Sequence, residues 1–194
     1  MLQYRVVAAG LLSKGMAMEG EELLVGPSPS GQFFPVRVES LHRNKAPCRV
    51  VRAGQAAAVA LGDQLKDKEL VLRKGMVLVH PAAEPKASLV FEAEIYCLYH
   101  PSDYIAIGFQ TTVHIGNVCQ TATIVDIVDK ACVKMGELVL VKFLFLLRPE
   151  YITEGSRLLF RQGKTKGIGQ VTKICIDPSE LPLTGSGQVR PRTF

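Results

Sequence analysis

The cations of this chain are grouped, and that grouping is the first chemistry the sequence offers. Between residues 37 and 52 lie Arg37, Arg43, Lys45, Arg49 and Arg52 against Glu39 alone, a local charge of +4. Between 157 and 173 lie Arg157, Arg161, Lys164, Lys166 and Lys173 with no acid, a local charge of +5. The whole chain carries a net +5, so everything outside these two stretches sums to −4. Two basic patches on an acidic body are the electrostatic footprint of a partner that presents phosphates. His42, next to Arg43, adds a ring that stacks on a base or donates to it. The plainer reading of both stretches is the solvated outer face of strands.

Other chemistries have weaker support. Glu21 and Glu22 are adjacent and point to opposite faces of a strand, whereas Glu92 and Glu94 share a face about 7 Å apart. That spacing suits acid–base work, yet with no pocket signal it reads as a solvated strand face. Gly163-Lys164-Thr165 imitates the end of a phosphate-binding loop, but Leu158 stands where its first glycine belongs. Asn44-Lys45-Ala46-Pro47 imitates a guanine-reading motif, with proline in place of the carboxylate. No Asp-x-x-Gly follows. The chain alone is therefore expected to bind no nucleotide and to have no catalytic residue. Its five cysteines include no Cys-x-x-Cys pair, and none of the four histidines falls at metal-ligand spacing from a cysteine. Buried free thiols and no metal are expected.

These residues need a scaffold, and the punctuation of the sequence says which kind. In 194 residues there are 17 glycines and 11 prolines, and 47% of residues are hydrophobic, which excludes a disordered or collagen-like chain. No run approaches the ~18 apolar residues of a membrane helix. The segment after Arg5, Val6 to Leu12, is read as a strand rather than a signal peptide. Phe91, Ala93, Ile95, Cys97 and Tyr99 alternate with Glu92 and Glu94, which marks a half-buried strand. Phe109, Thr111, Val113 and Ile115 repeat the pattern, as do Val139, Val141, Phe143, Phe145 and Leu147. No amphipathic helix of ten residues is found, and residues 63–70 allow one turn at most.

A glycine followed by a short strand rich in Leu and Val recurs at Gly20, Gly75, Gly136 and Gly155, each with a charged residue one or two positions earlier. The fold class is all-β: two tandem small β-barrels, residues 1–80 and 87–176, with a tail at 177–194 expected to be disordered. His80-Pro81-Ala82-Ala83-Glu84-Pro85-Lys86 forms a stiff linker between them. Met16, Met18, Met76 and the phenylalanines are expected in the cores.

Several stretches resemble a known family. Phe91-Glu92-Ala93-Glu94-Ile95-Tyr96-Cys97-Leu98 is similar to the opening strand of the third domain of elongation factor Tu. The run from Phe160 to Ile174 resembles that domain's closing hairpin, with its Arg-x-Gly-x-Thr-x-Gly-x-Gly-x-Val pattern. Val6 to Gly15 and Arg73 to Leu78 look like the early hairpin and final strand of the second domain. Leu41-His42-Arg43-Asn44-Lys45 and Tyr151 look closest to the eukaryotic GTP-binding protein 1 and 2 family.

The resemblance implies the non-catalytic barrels of a translational GTPase. Their expected partners are aminoacyl-tRNA or another RNA, the ribosome, and an N-terminal GTPase domain that would hold GTP and magnesium, in the cytoplasm and away from membranes. The RNA-binding residues it implies are His42, Arg43, Lys45, Arg49 and Arg52 in the first barrel, and Arg161, Lys164 and Lys166 around Gly163 and Gly167 in the second. Two departures are noted. The match opens at the second strand of the first barrel, which implies an open sheet edge at Val6. Ser40 replaces the glutamate of the family's Glu-Met-His-Arg, which weakens the case for recognition of an aminoacylated end. The competing expectation is a protein–protein scaffold that docks on a GTPase domain or an RNA-processing complex.

Overall fold

A computed structural model describes residues 6–62 and 70–175. The tail at 177–194, and all but Leu70 of the turn expected over 63–70, lie outside these residues. Regular structure in the described residues is strand, apart from one 3-10 turn at Pro81–Ala83. None of their helices is long and apolar enough to cross a membrane. The chain divides into two compact units whose main boundary falls between Pro85 and Lys86, with Pro29–Gln32 and Lys74–Met76 clustering with the second.

The first unit holds β1 (Val6–Leu11), β2 (Met16–Met18), β3 (Glu22–Gly26), β4 (Phe34–Arg43), β5 (Ala46–Cys48), β6 (Val50–Arg52), β7 (Ala56–Leu61) and β8 (Val77–Val79). Its main sheet runs β1-β7-β4-β3-β8, with β5 on the end of β4, while β2 and β6 form a separate ribbon. The described strands form an open sheet with β1 at one end, the edge implied by the resemblance. A small core of Leu23, Val25, Val36, Val38, Leu41, Val51 and Leu61 lies beneath it. Met16 and Met18 do not join that core. They lie on the two-stranded ribbon, 59% and 44% exposed, because a ribbon three residues long has no second layer to cover it.

The second unit holds β9 (Val90–Tyr99), β10 (Tyr104–Ile105), β11 (Gln110–Ile115), β12 (Val118–Ile127), β13 (Val133–Lys134), β14 (Leu138–Phe145), β15 (Arg157–Gln162) and β16 (Thr165–Cys175). Six of these strands close into a barrel in the order β11-β12-β14-β9-β16-β15. The inward residues of the three alternating segments fill it: Phe91, Ala93, Ile95, Cys97, Val113, Ile115, Val139, Val141, Phe143 and Phe145 are all buried. Phe91 stacks on Phe143 with ring centres 5.3 Å apart and meets Phe145 at 5.0 Å. Leu147 departs from the pattern. It lies past the end of β14 and is exposed. A buried polar group clamps the segment that follows, where Gln120 receives the Leu147 and Arg148 amides and donates to the Arg148 carbonyl and the Glu150 carboxylate.

The glycine pattern has a structural cause. Gly20, Gly75, Gly136 and Gly155 have φ of 86°, 92°, 77° and 79°, and each precedes its strand by two residues. A β-carbon opposes that conformation, so the turn selects glycine. Two of these turns, and a third at Gly108 with φ of 91°, are clasped to a facing strand in the same way. Gly20 N–H donates to the Val38 carbonyl at 2.8 Å, and Val38 N–H donates back to Glu21 at 2.9 Å. Gly108 with Phe109 clasps Ile124, and Gly155 with Ser156 clasps Val171, by the same pair of bonds. At each clasped residue the facing strand shifts register, between Val38 and Ser40, Ile124 and Asp126, and Val171 and Lys173. The turns thus dock where a strand bulges.

Candidate nucleic-acid interface

In the second unit the cations assemble on the β15–β16 hairpin. Gln162 pairs with Thr165, which leaves Gly163 and Lys164 as a two-residue loop with Gly163 at φ 58°. Positive φ at the first central position is what a type II′ hairpin requires. Arg161 and Lys166 then face each other across the strands, both outward and exposed. Like charges directly opposite destabilise a sheet, so this pair does nothing for the fold. Tyr99 pairs with Lys166 from the other side, and Tyr99, Arg161, Gly163, Lys164 and Lys166 line one shallow depression without a carboxylate among them.

Tyr99 was expected inward with Cys97, and the structure corrects this. Lys166 pairs with Tyr99 but Gly167 pairs with Cys97, so Leu98 is an extra residue in β9. The bulge turns Tyr99 out, where it is 42% exposed. His100 anchors the strand end. Its Nδ1 lies 2.7 Å from the Thr165 hydroxyl, and its ring meets Phe109 edge-on at 5.5 Å. Gly167, named with these cations, does not lie on the surface with them. It is buried, and a β-carbon there would meet the Phe160 ring and the Tyr96 carbonyl, so its lack of a side chain serves the barrel's own packing.

In the first unit a bulge does similar work. Val36 and Val38 point inward, the register shifts before Ser40, and Leu41 is the next buried residue. His42 is thereby turned from the core side and is half-buried. Arg43 pairs with Ala46, leaving Asn44 and Lys45 as a two-residue turn with φ of 52° and 66°. Both positive values mark a type I′ turn, whose preferred sequence is Asn-Gly. Arg49 follows between β5 and β6, and Arg52 ends β6, both exposed like Arg43 and Lys45. Lysine in the left-handed region costs about 1 kcal/mol relative to glycine. Lys45→Gly is accordingly expected to raise stability by about 1 kcal/mol in urea unfolding. An unchanged or lower stability would mean that the turn does not strain the lysine backbone.

The other motifs resolve into structure. Gly163-Lys164-Thr165 joins two strands and so lacks the strand-to-helix setting of a phosphate loop, and Asn44-Lys45 is a hairpin turn. Glu92 pairs with Lys142 across β9 and β14, nitrogen to oxygen 3.5 Å, which gives it a structural partner. Among the described residues no group of three or more His, Cys, Asp and Glu could hold a metal ion. Cys97 and Cys175 are buried, and burial pushes the Cys97 thiol up. Cys119 was expected buried but is exposed, because its position on β12 faces outward between Val118 and Gln120.

A closed six-stranded barrel and an open sheet, each carrying a cationic hairpin, define an all-β barrel module. No family profile matches the chain. It is 51% identical over 168 residues to GTP-binding protein 2 of human and of mouse, covering 87% of this chain and 27% of each relative. To GTP-binding protein 1 of Xenopus laevis it is 41% identical over 177 residues, covering 91% of this chain and 26% of the relative. The chain is homologous to a segment of the GTP-binding protein 1 and 2 family, and spans about a quarter of the length of these relatives.

Proposed function

We propose that the chain forms RNA-facing, non-catalytic barrels of a GTP-binding protein that acts in the cytoplasm on aminoacyl-tRNA or another RNA at the ribosome. One observation carries the reading: Arg161 stands opposite Lys166, with Lys164 at the hairpin tip and Tyr99 alongside, all exposed and without a lining carboxylate. Folding gains nothing from that arrangement, whereas an RNA backbone supplies the missing negative charge. His42, Arg43, Lys45, Arg49 and Arg52 offer a second set of contacts in the first unit. GTP and magnesium fall to the GTPase domain implied by the relatives' names, and that domain is the other partner of the barrels.

The test is tRNA binding to the full chain across a salt series. Neutralised phosphates give a slope of log K against log salt of about −0.7 to −0.9 per contact. Lys164→Ala with Lys166→Ala is expected to weaken binding to all RNAs alike and to flatten the slope by about two units together. A flat salt response, or no RNA binding, favours the protein scaffold instead.

A further inference from the structure

The exposed face beside the cationic hairpin offers more than phosphate contacts. Tyr99 sits in the same depression as Arg161, Lys164 and Lys166, and an extra residue in β9, Leu98, is what brings it there. Bulges that re-aim one side chain are features of functional surfaces. Further from the hairpin tip the outward positions turn apolar. Ile168, the next outward residue after Lys166, has Leu159 on one side and Tyr96 on the other. These three are 44%, 54% and 36% exposed, and Leu98 adds another 49%. A strip of apolar side chains thus lies one outward position, about 7 Å, from the paired cations.

We propose that this face takes single-stranded RNA, with phosphates on Arg161, Lys164 and Lys166 and with unstacked bases on Tyr99 and the Tyr96–Ile168–Leu159 strip. The inference rests on the RNA-binding reading above and names the class of RNA. The bases of a duplex are stacked on one another and offer no free face, so an aromatic ring among three cations would have nothing to meet there. A single strand has a free face on every base, and aromatic side chains with a cationic rim are how such strands are held without sequence preference. The charge complementarity is one-sided: the lining contributes three cations and no acid.

The chain has five tyrosines and no tryptophan, so its intrinsic emission reports tyrosine directly. Titrating the full chain with oligouridylate, and separately with a blunt RNA duplex of equal phosphate count at the same salt, tests the proposal. Expected are tighter binding of oligouridylate than of duplex and quenched tyrosine emission with the single strand alone. Tyr99→Ala should weaken oligouridylate binding by about tenfold and leave duplex binding unchanged. Tyr99→Phe should keep the affinity and lose the Tyr99 share of the quench, leaving that of Tyr96, because it retains the ring and removes one reporter. Equal affinity for both probes, or a Tyr99→Ala variant that binds oligouridylate as well as the parent, overturns the single-strand inference and leaves RNA binding standing. Failure of both probes to bind overturns the RNA reading and this inference together.

Discussion

Replacing Gln120 with leucine is expected to destabilise the second barrel by about 4 kcal/mol, the largest loss we anticipate from any single exchange. Gln120 is 3% exposed and uses both ends of its amide. Its Oε1 accepts from the Leu147 and Arg148 amides, each at 2.9 Å. Its Nε2 donates at 3.1 Å to the Arg148 carbonyl and at 3.1 Å to Glu150 Oε1. Glu150 is itself 2% exposed, and its backbone exchanges two bonds of 3.0 Å with Ser88. Leucine fills similar space but strands two backbone donors and takes one hydrogen bond from Glu150 Oε1, which keeps Arg148 Nε at 3.5 Å. Each orphaned group costs about 1–3 kcal/mol, more when charged. Urea unfolding followed by far-ultraviolet circular dichroism measures the loss. A change below about 1 kcal/mol would mean that water replaces the amide, and the clamp would have to be abandoned.

The second large effect is expected at Gly167, where alanine should cost about 3 kcal/mol. A β-carbon there would collide with the ring of Phe160, its cross-strand partner, and stand 2.7 Å from the Tyr96 carbonyl oxygen. The ring belongs to the barrel core at 2% exposure and the carbonyl belongs to a paired strand, so neither has room to yield. Overpacking of this kind costs about 1–3 kcal/mol when side chains alone must move, and the backbone contact puts Gly167 at the upper end. Phe160→Leu in the Gly167→Ala background should restore part of the loss, because it removes one of the two obstacles. If the double variant is no more stable than the alanine variant, the carbonyl rather than the ring sets the penalty.

Much of this scaffold is legible in the sequence because two kinds of residue have one structural use each. Alternation over 91–97, 109–115 and 139–145 reads directly as barrel strands, since a closed barrel buries every second side chain. Glycine two residues ahead of a strand reads as a turn at positive φ, since other residues avoid that backbone. The cationic hairpins are legible as charge, although not as pairs: only the register shows that Arg161 faces Lys166. Tyr99 was not legible as a surface residue, nor Gln120 as a clamp. A bulge adds one residue without altering hydrophobic character, so alternation continued through Leu98 puts Tyr99 on the wrong face. A polar residue on an alternating strand reads as outward unless its partners, here Glu150 and the Arg148 backbone, are known.

The bulges at Glu39 and Leu98 mean that the outer chemistry of each unit is set by a count as well as by a composition. On a strand of period two, pairing one residue more inverts the orientation of everything beyond it. A ladder that absorbed Leu98 as a paired residue would keep every cation and aromatic group of the second hairpin, yet direct Tyr99 at the core and Lys166 at Leu98. A ladder that absorbed Glu39 would send His42 inward in the same way. For these two strands, a relative that preserves each named residue but pairs them without the bulge would present a different surface. Register, rather than identity alone, is what such barrels have to conserve.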